Sequence, residues 1–159
     1  MTEILITDDD LAWVGRELEF VSDVVTESQV RQFVAATDDY HPAYDGESAD
    51  ELGIEHIAPP MLYYGITRPW VGLDGYADDG TVLHQRPLVG TGQAMGGTLS
   101  VEWIRPLHVG DRLRGVRTLA SLEEKQGSRM RFALAVWNTE YRDQNGELVI
   151  REQYEQILF

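Results

Sequence analysis

The second half of the chain alternates between apolar and polar residues with a period of two, which is typical of β-strands that bury one face. Three runs show the pattern, over residues 99–103, 130–136 and 147–159. The apolar residues that mark one side of each run are Leu99, Val101, Trp103, Met130, Phe132, Leu134, Val136, Leu148, Ile150, Tyr154 and Leu158. We therefore predict strands in all three runs.

Segments that favour turns lie between and beside these runs. Residues 105–111, 123–127 and 143–146 each contain a glycine. The last segment includes Asn145-Gly146, and Asn-Gly is the strongest short hairpin signal. Strands joined by short turns favour an antiparallel sheet, and we predict four or five such strands.

Capped helices and one further strand are predicted in the first third of the chain. Residues 7–14 have the composition of a capped helical turn, and residues 17–25 are typical of a strand. Capping boxes are predicted at Thr26 and Ser48, each followed three residues later by Gln or Glu. Gly53 is a plausible stop for the second of these helices.

Residues 60–67 are apolar nearly all round, as expected of a buried helix. One buried helix followed by antiparallel strands predicts an α+β architecture. The chain has 159 residues and shows no repeat or linker, so we expect a single domain over residues 1–159.

Composition narrows the possible functions. The chain has no Cys, which excludes disulfides, thiolate metal sites and a cysteine nucleophile. Its formal net charge of −14 argues against nucleic acid and anionic membrane as partners. We see neither a signal-peptide pattern nor a stretch of roughly 18 apolar residues, and we expect a cytoplasmic protein.

The segment Asp39-Tyr-His-Pro-Ala-Tyr44 resembles the Asp-x-Asn-Pro-x-His signature of MaoC-like (R)-specific enoyl-thioester hydratases and dehydratases, which adopt the hot-dog fold. On that signature Asp39 matches the catalytic Asp, His41 matches the Asn, and Tyr44 stands in place of the catalytic His. The resemblance implies an antiparallel sheet wrapped around one central helix. It also implies chemistry in which an acid–base pair adds water to, or removes it from, an acyl thioester.

The segment Pro59-Pro60-Met61 departs from the catalytic pattern. Catalytic members have a Gly at the start of the central helix, and its N–H points at the thioester carbonyl. Here Pro60 takes that position, and proline has no N–H to donate. Both departures resemble the amino-terminal, or regulatory, half of MaoC-like dehydratases, in which one unit is catalytic and its partner shapes the acyl pocket.

A second resemblance lies in Gly96-Gly97 and the following Arg105-Pro-Leu-His-Val-Gly-Asp111, which are similar to a run in MaoC-like dehydratases. The resemblance implies that Pro60, Met61, Gly96, Gly97 and Arg105 contact substrate. Coenzyme A is anionic, so its binding site needs basic residues. In this chain they are concentrated in one stretch, at Arg105, Arg112, Arg114 and Arg117.

Several of these residues have more than one interpretation. Asp39 is either a catalytic carboxylate or a cap for nearby backbone N–H groups. His41 is a candidate for the base role, whereas Tyr44, with an ordinary pKa of about 10, is a poor base and a candidate for packing. Gly96 and Gly97 allow either close approach of a ligand or a bend in a strand.

No cofactor or metal is predicted, because the histidines lack ligand spacing. These are His56, His84 and His108, besides His41.

Three functions follow as hypotheses. The first is a subunit of an enoyl-thioester hydratase or 3-hydroxyacyl-thioester dehydratase, acting on acyl-CoA or acyl-ACP beside a catalytic MaoC-like partner in a heterodimer. The second is a self-sufficient homodimeric hydro-lyase that uses Asp39 and His41. The third is a non-catalytic acyl-thioester-binding scaffold. We expect a homo- or hetero-oligomer in each case, because hot-dog units pair at their edge strands.

Overall fold

In a computed structural model, which describes residues 5–68, 71–76, 78, 80, 82 and 85–159, five strands form one sheet. The strands are β1 (Glu17–Val24), β2 (Ala94–Trp103), β3 (Arg112–Gln126), β4 (Arg131–Arg142) and β5 (Leu148–Leu158). Their order is β1-β3-β4-β5-β2, and every neighbouring pair is antiparallel. The predicted antiparallel sheet is confirmed.

The helices precede the strand meander. They are α1 (Asp8–Leu11), α2 (Glu27–Thr37), α3 (Gly46–Leu52) and α4 (Leu62–Ile66). Complete capping boxes at Thr7 and Thr26 confirm the predicted starts of α1 and α2. The predicted cap at Ser48 is wrong, because Asp45 accepts the Ser48 N–H at 2.9 Å and α3 begins at Gly46. Gly53 ends α3 in the left-handed conformation as expected, with φ 64°.

Helix α4 packs on one face of the sheet, which we call the inner face. The Tyr63 ring meets Trp103 and Tyr141 edge to face, with ring centroids 5.2 and 5.5 Å apart. Only part of the predicted helix over residues 60–67 is helical, since Pro59, Pro60 and Met61 form a turn before Leu62. Leu62 and Tyr63 are buried, whereas Met61 and Tyr64 are exposed. The buried helix is therefore confirmed, but it is shorter than predicted, and only one of its sides is buried.

Two apolar clusters fill the inner face. The first surrounds α4 and includes Leu62, Tyr63, Tyr141 and Ile150. The second lies further along the strands and includes Leu119, Trp137 and Leu158. Between them runs a polar row of three residues that are adjacent by strand register: Arg117, Thr139 and Glu152. The core of this protein is thus divided by polar side chains.

Strand β4 presents two alanines and a tryptophan to the core. Ala133, Ala135 and Trp137 are fully buried. The larger Phe132 and Leu134 are only partly buried and have the opposite parity, so they lie on the outer face. The predicted strand is confirmed, and the bulk on its inner face comes from Trp137.

Candidate functional site

The signature segment begins where α2 ends. Asp38 closes α2 in the left-handed conformation, with φ 55°. Asp39 follows it, exposed, and its carboxylate accepts no hydrogen bond from any residue that the structure describes. The structure therefore does not support the interpretation of Asp39 as a cap for backbone N–H groups. Its carboxylate is exposed to solvent.

His41 starts a 3₁₀ turn over Pro42–Tyr44. Its Nδ1 accepts the N–H of Ala43 at 3.2 Å, as a side-chain cap does. That bond leaves the proton of the neutral ring on Nε2. His41 therefore caps this turn through Nδ1, and Nε2 is the ring nitrogen that remains available for another contact.

Tyr44 lies half-buried at the end of the same turn. Its ring centroid is 5.4 Å from that of His41. Burial, together with the negative charge of Asp39, raises the pKa of the Tyr44 hydroxyl above its ordinary 10.0. A hydroxyl with a raised pKa donates a hydrogen bond and does not act as a base near neutral pH.

His41 and Tyr44 share a cleft with residues of α2 and α3, and Asp39 is not among the residues that line it. It has a volume of about 670 Å³ and is lined by His41 and Tyr44 together with Arg31, Val34 and Leu52. The segment is tied to the approach of α4, because the Ile57 N–H donates to the Ala43 carbonyl at 2.9 Å. The structure thus brings His41 and Tyr44 to one cleft and leaves Asp39 outside its lining.

Pro60 and Met61 form the turn that leads into α4. Pro59 and Pro60 accept hydrogen bonds from Leu62 and Tyr63 through their carbonyls but have no N–H of their own. Met61 has the first backbone N–H after them, and that N–H finds no acceptor within the described part of the chain. Pro60 offers no N–H at the position where catalytic members have a Gly, and the next backbone N–H in the segment is that of Met61.

Gly96 and Gly97 lie at an irregularity in β2. The pairing of β2 with β5 shifts register between Gly96 and Leu99. A Cβ at Gly97 would stand 2.9 Å from the Glu155 carbonyl oxygen, and one at Gly96 would stand 3.1 Å from the Tyr154 hydroxyl. Close strand packing accounts for both glycines, and their predicted contact with substrate stays a prediction.

Arg105 is committed to two carboxylates of the chain. Its guanidinium contacts Asp111 at 2.8 and 3.1 Å and Asp143 at 2.9 Å, which joins two hairpin turns. Hydrogen bonding to Asp111, opposed by burial, raises the pKa of Arg105 overall. Because both terminal nitrogens are engaged, the geometry gives Arg105 a structural role, and its contact with substrate stays a prediction.

The four arginines do not form one basic patch. Arg105 lies in the turn network, and Arg112 and Arg114 are exposed on the outer side of β3. Arg117 has the opposite parity and lies in the polar row of the inner face. A coenzyme A site built from all four is therefore excluded by strand parity.

Glu152 is a buried carboxylate that was not predicted as a candidate residue from the sequence. Its carboxylate accepts the hydroxyl of Tyr63 at 2.8 Å and that of Tyr141 at 3.3 Å. The signal was present, because Glu152 shares the parity of Ile150 and Tyr154 in β5. A charged residue on an otherwise apolar strand face points to a buried polar site.

No cluster of three potential metal ligands occurs among the described residues. His56 approaches Glu27, with 3.9 Å between Nε2 and Oε1, and the same pair of atoms in His108 and Glu55 is 2.7 Å apart. His84 lies outside the described residues. Within the part of the chain that the structure covers, no helix is both long and apolar enough to cross a bilayer.

Known proteins match this chain over most of its length. A family model described as "FAS1-like, dehydratase domain region" matches residues 12–152. A UPF0336 protein of Streptomyces griseus is 30% identical over 129 residues, which are 79% of this chain and 78% of the relative.

Solved structures share the fold at low sequence identity. The ChsH1-ChsH2 complex of Mycobacterium tuberculosis superposes with a TM-score of 0.70 and 17% identity, covering 89% of this chain and 83% of the other. The HadBC (3R-hydroxyacyl-ACP dehydratase) complex of the same organism gives 0.66 and 21%, covering 91% and 96%. The expected hot-dog fold is confirmed. The chain belongs to the FAS1-like dehydratase-domain family and is MaoC-like, as its signature segment indicated.

Proposed function

We propose that this chain is the non-catalytic subunit of an enoyl-thioester hydratase or 3-hydroxyacyl-thioester dehydratase, and that it shapes the acyl pocket beside a catalytic hot-dog partner. The observation that carries the proposal is the position of Tyr44. It stands where the family has its catalytic His, half-buried and with a raised pKa, so this chain lacks one half of the acid–base pair. Its family and fold support a hydro-lyase assembly.

The turn into α4 supports the same proposal. A hydratase stabilises the enolate oxygen of its intermediate with backbone N–H groups that point at the thioester carbonyl. Pro59 and Pro60 remove two such donors from this segment. Loss of a general acid–base group weakens catalysis by about 10²–10⁴-fold, and loss of one oxyanion donor by about 10²–10³-fold.

In the proposed assembly the partner chain supplies an intact Asp-x-Asn-Pro-x-His pair. This chain supplies the apolar walls around α4 and an edge strand, β2, for pairing. Two solved relatives of the fold are complexes of two named components, ChsH1-ChsH2 and HadBC, which favours a heterodimer over a homodimer. The carrier is coenzyme A or acyl carrier protein.

A self-sufficient hydro-lyase is the second candidate, and one observation favours it. The Asp39 carboxylate is exposed and accepts no hydrogen bond from the described residues, and it lies five positions before the half-buried Tyr44. In this mechanism Asp39 and His41 Nε2 would hold the water. The cap that His41 provides to Ala43 restricts its ring, and for this reason we place the candidate second.

A hydration assay on a trans-2-enoyl-coenzyme A separates the two candidates. The purified chain is assayed alone and with a separately purified hot-dog chain that has an intact Asp-x-Asn-Pro-x-His motif. The Asp39→Asn and His41→Ala variants and the control Asp50→Asn are assayed in the same way. We expect slow turnover alone, restored by the partner and indifferent to all three substitutions. Turnover of the isolated chain at roughly 10 per second, abolished by Asp39→Asn or His41→Ala but not by Asp50→Asn, would establish the second candidate instead.

A further inference from the structure

A cavity opens on the inner face where α4 ends. It has a volume of about 700 Å³, within the range of pockets that hold small ligands. Leu18 and Phe20 from β1 give the lining an apolar part, and Tyr64 from α4 lines the cavity together with Thr67 and Arg68, which follow that helix. Helix α4 is only five residues long, and none of the lining residues that the structure describes belongs to another α-helix.

Arg117 reaches this cavity from the polar row. Its guanidinium lies on the Trp137 ring, 4.1 Å from the centroid, and 5.8 Å from the centroid of Tyr154. The Nε–H is buried without an acceptor. No described residue accepts a hydrogen bond from this guanidinium or forms an ion pair with it. A buried cation without such a partner is costly to hold, and proteins keep one mainly where a ligand completes the site.

Arg68 adds a second cation on the wall of the same cavity. Its guanidinium stacks on Tyr64 at 3.7 Å, and it also has no carboxylate partner among the described residues. Burial, and next the positive charge of Arg68, lower the pKa of Arg117. Two guanidinium groups that repel one another across a cavity both gain from an anion placed between them.

The other charges at the cavity are already engaged. Glu19 at the rim pairs with Arg114 at 2.6 Å. Arg86 donates to the carbonyls of Gly92 and Pro87 at 2.6 and 3.3 Å. Glu152, in the same polar row as Arg117, accepts from Tyr63 and Tyr141. The described residues that line the cavity thus include three cations and one carboxylate, in a chain of net charge −14.

Further polar atoms near Arg117 have no hydrogen-bond partner among the residues that the structure describes. They are the Thr139 hydroxyl, the Trp137 Nε1–H and the Gln156 Oε1, and all three are buried. Thr139 pairs with Arg117 across β3 and β4, and Gln156 lines the cavity. Unsatisfied buried polar groups are few in native proteins, and several around one cavity indicate a polar occupant.

We propose that the Arg117–Arg68 cavity is a binding subsite for an oxyanion carried by the ligand, a carboxylate on the acyl group or a phosphate of its carrier. The link to an acyl thioester rests on the proposed function, whereas the anion site itself does not. The guanidinium fork of Arg117 suits a planar or tetrahedral oxyanion. The Leu18–Phe20 wall suits methylene groups that lead to it.

Anion binding is measured directly on the full chain by calorimetric titration at low ionic strength, where screening is least. The probes are adipate as the carboxylate, 1-hexanol as a neutral ligand of similar length, and inorganic phosphate. Arg117→Met removes the charge and keeps an apolar stem beside Trp137, and Arg68→Gln removes the second cation. The control is Arg151→Gln. Arg151 is exposed and lies next to Glu152 in β5, so its side chain is on the outer face of the sheet.

We expect adipate to bind the wild type and Arg151→Gln equally, and Arg117→Met and Arg68→Gln at least about tenfold more weakly, as loss of a charge-assisted hydrogen bond predicts. Binding of 1-hexanol should not distinguish the variants. The same pattern with phosphate, and not with adipate, assigns the site to the carrier. Failure of both anions to bind the wild type, or equal binding to all variants, would overturn the subsite. Neither result depends on turnover, so the hydration assay tests the proposed function separately.

Discussion

The hydroxyl of Tyr63 donates a hydrogen bond of 2.8 Å to the carboxylate of Glu152, and so joins α4 to β5 across 89 residues of sequence. Tyr63 has no exposed surface and Glu152 is 5% exposed. Tyr141 supplies a second hydroxyl to the same oxygen at 3.3 Å. Helix α4 is therefore anchored to the sheet by a polar contact as well as by ring packing.

Replacing Tyr63 by Phe should destabilise the protein by about 1–3 kcal/mol, because a buried carboxylate loses its shorter donor. The ring contacts with Trp103 and Tyr141 would remain. The free energy of unfolding is measured by urea denaturation, with Tyr64→Phe as the exposed control on the same helix. Equal stability of the two variants would show that Glu152 does not depend on this bond.

Stability should fall at alkaline pH. Burial, and next the nearby Glu152 carboxylate, raise the pKa values of Tyr63 and Tyr141 well above 10.0. Both hydroxyls stay protonated in the folded chain while they ionise near pH 10 in the unfolded chain. The unfolded state then binds fewer protons, so the free energy of unfolding is preserved below about pH 10 and declines above it.

The decline above pH 10 should be shallower in Tyr141→Phe, because one group no longer contributes. Each such group accounts for at most about 1.4 kcal/mol per pH unit. Urea midpoints across the alkaline range measure the slope, and Tyr40→Phe, exposed over 69% of its surface, is the matched control. A Tyr141→Phe slope as steep as that of Tyr40→Phe would contradict the assignment.

Arg105→Gln should destabilise the chain without a specific loss of ligand binding. The variant leaves the side chains of Asp111 and Asp143, 7% and 3% exposed, without their shared cation. We expect a loss of about 2–3 kcal/mol, below the roughly 3–5 kcal/mol of a fully buried pair. Arg151→Gln, whose side chain is 52% exposed, should lose less than about 1 kcal/mol.

Thermal unfolding by circular dichroism measures the loss in Arg105→Gln. Binding of an acyl-coenzyme A, measured well below the midpoint, should match that of the wild type. A stable Arg105→Gln variant with weakened binding would restore the role that the sequence motif first suggested for this residue.

The cap of α3 should weaken in acid. Hydrogen bonds from the hydroxyl and N–H of Ser48 lower the pKa of Asp45 below its ordinary 3.8. A lowered pKa contributes stability that is present above the ordinary value and is lost as the pH falls through the folded-state value. Asn caps helices without titrating. The stability difference between wild type and Asp45→Asn should therefore shift toward the Asn variant between neutral pH and about pH 3, and parallel curves would contradict this.

Local patterns predicted the elements well where one signal had no competitor. Thr26 and Gln29 form the capping box that their spacing indicates. At Ser48 the same spacing failed, because Asp45 offers a stronger acceptor three residues earlier. The strand over residues 130–136 was predictable, but the direction of its faces was not. That direction depends on Trp137, further along the strand, which fills the core beside Ala135.

The candidate site was predictable in its first part only. Asp39, His41 and Tyr44 are close in sequence, so a motif could find them together. Arg105 and Arg117 looked alike within one arginine-rich stretch, and only strand register separates a turn anchor from a residue of the inner face. The contact between Tyr63 and Glu152 spans 89 residues, and no local pattern carries that information.

The strand order has a consequence for how such proteins diversify. Because β3, β4 and β5 form a continuous meander and β1 and β2 lie at its two edges, residues 25–93 form one excursion between two edge strands. That excursion contains His41, Tyr44 and Pro60, the three positions at which this chain departs from the signature and its helix-start Gly. These positions can therefore change, by sequence drift or in the laboratory, without altering any residue of the meander that pairs β3, β4 and β5. An exchange of the whole excursion has to keep Tyr63, because that residue is bonded to Glu152 of β5.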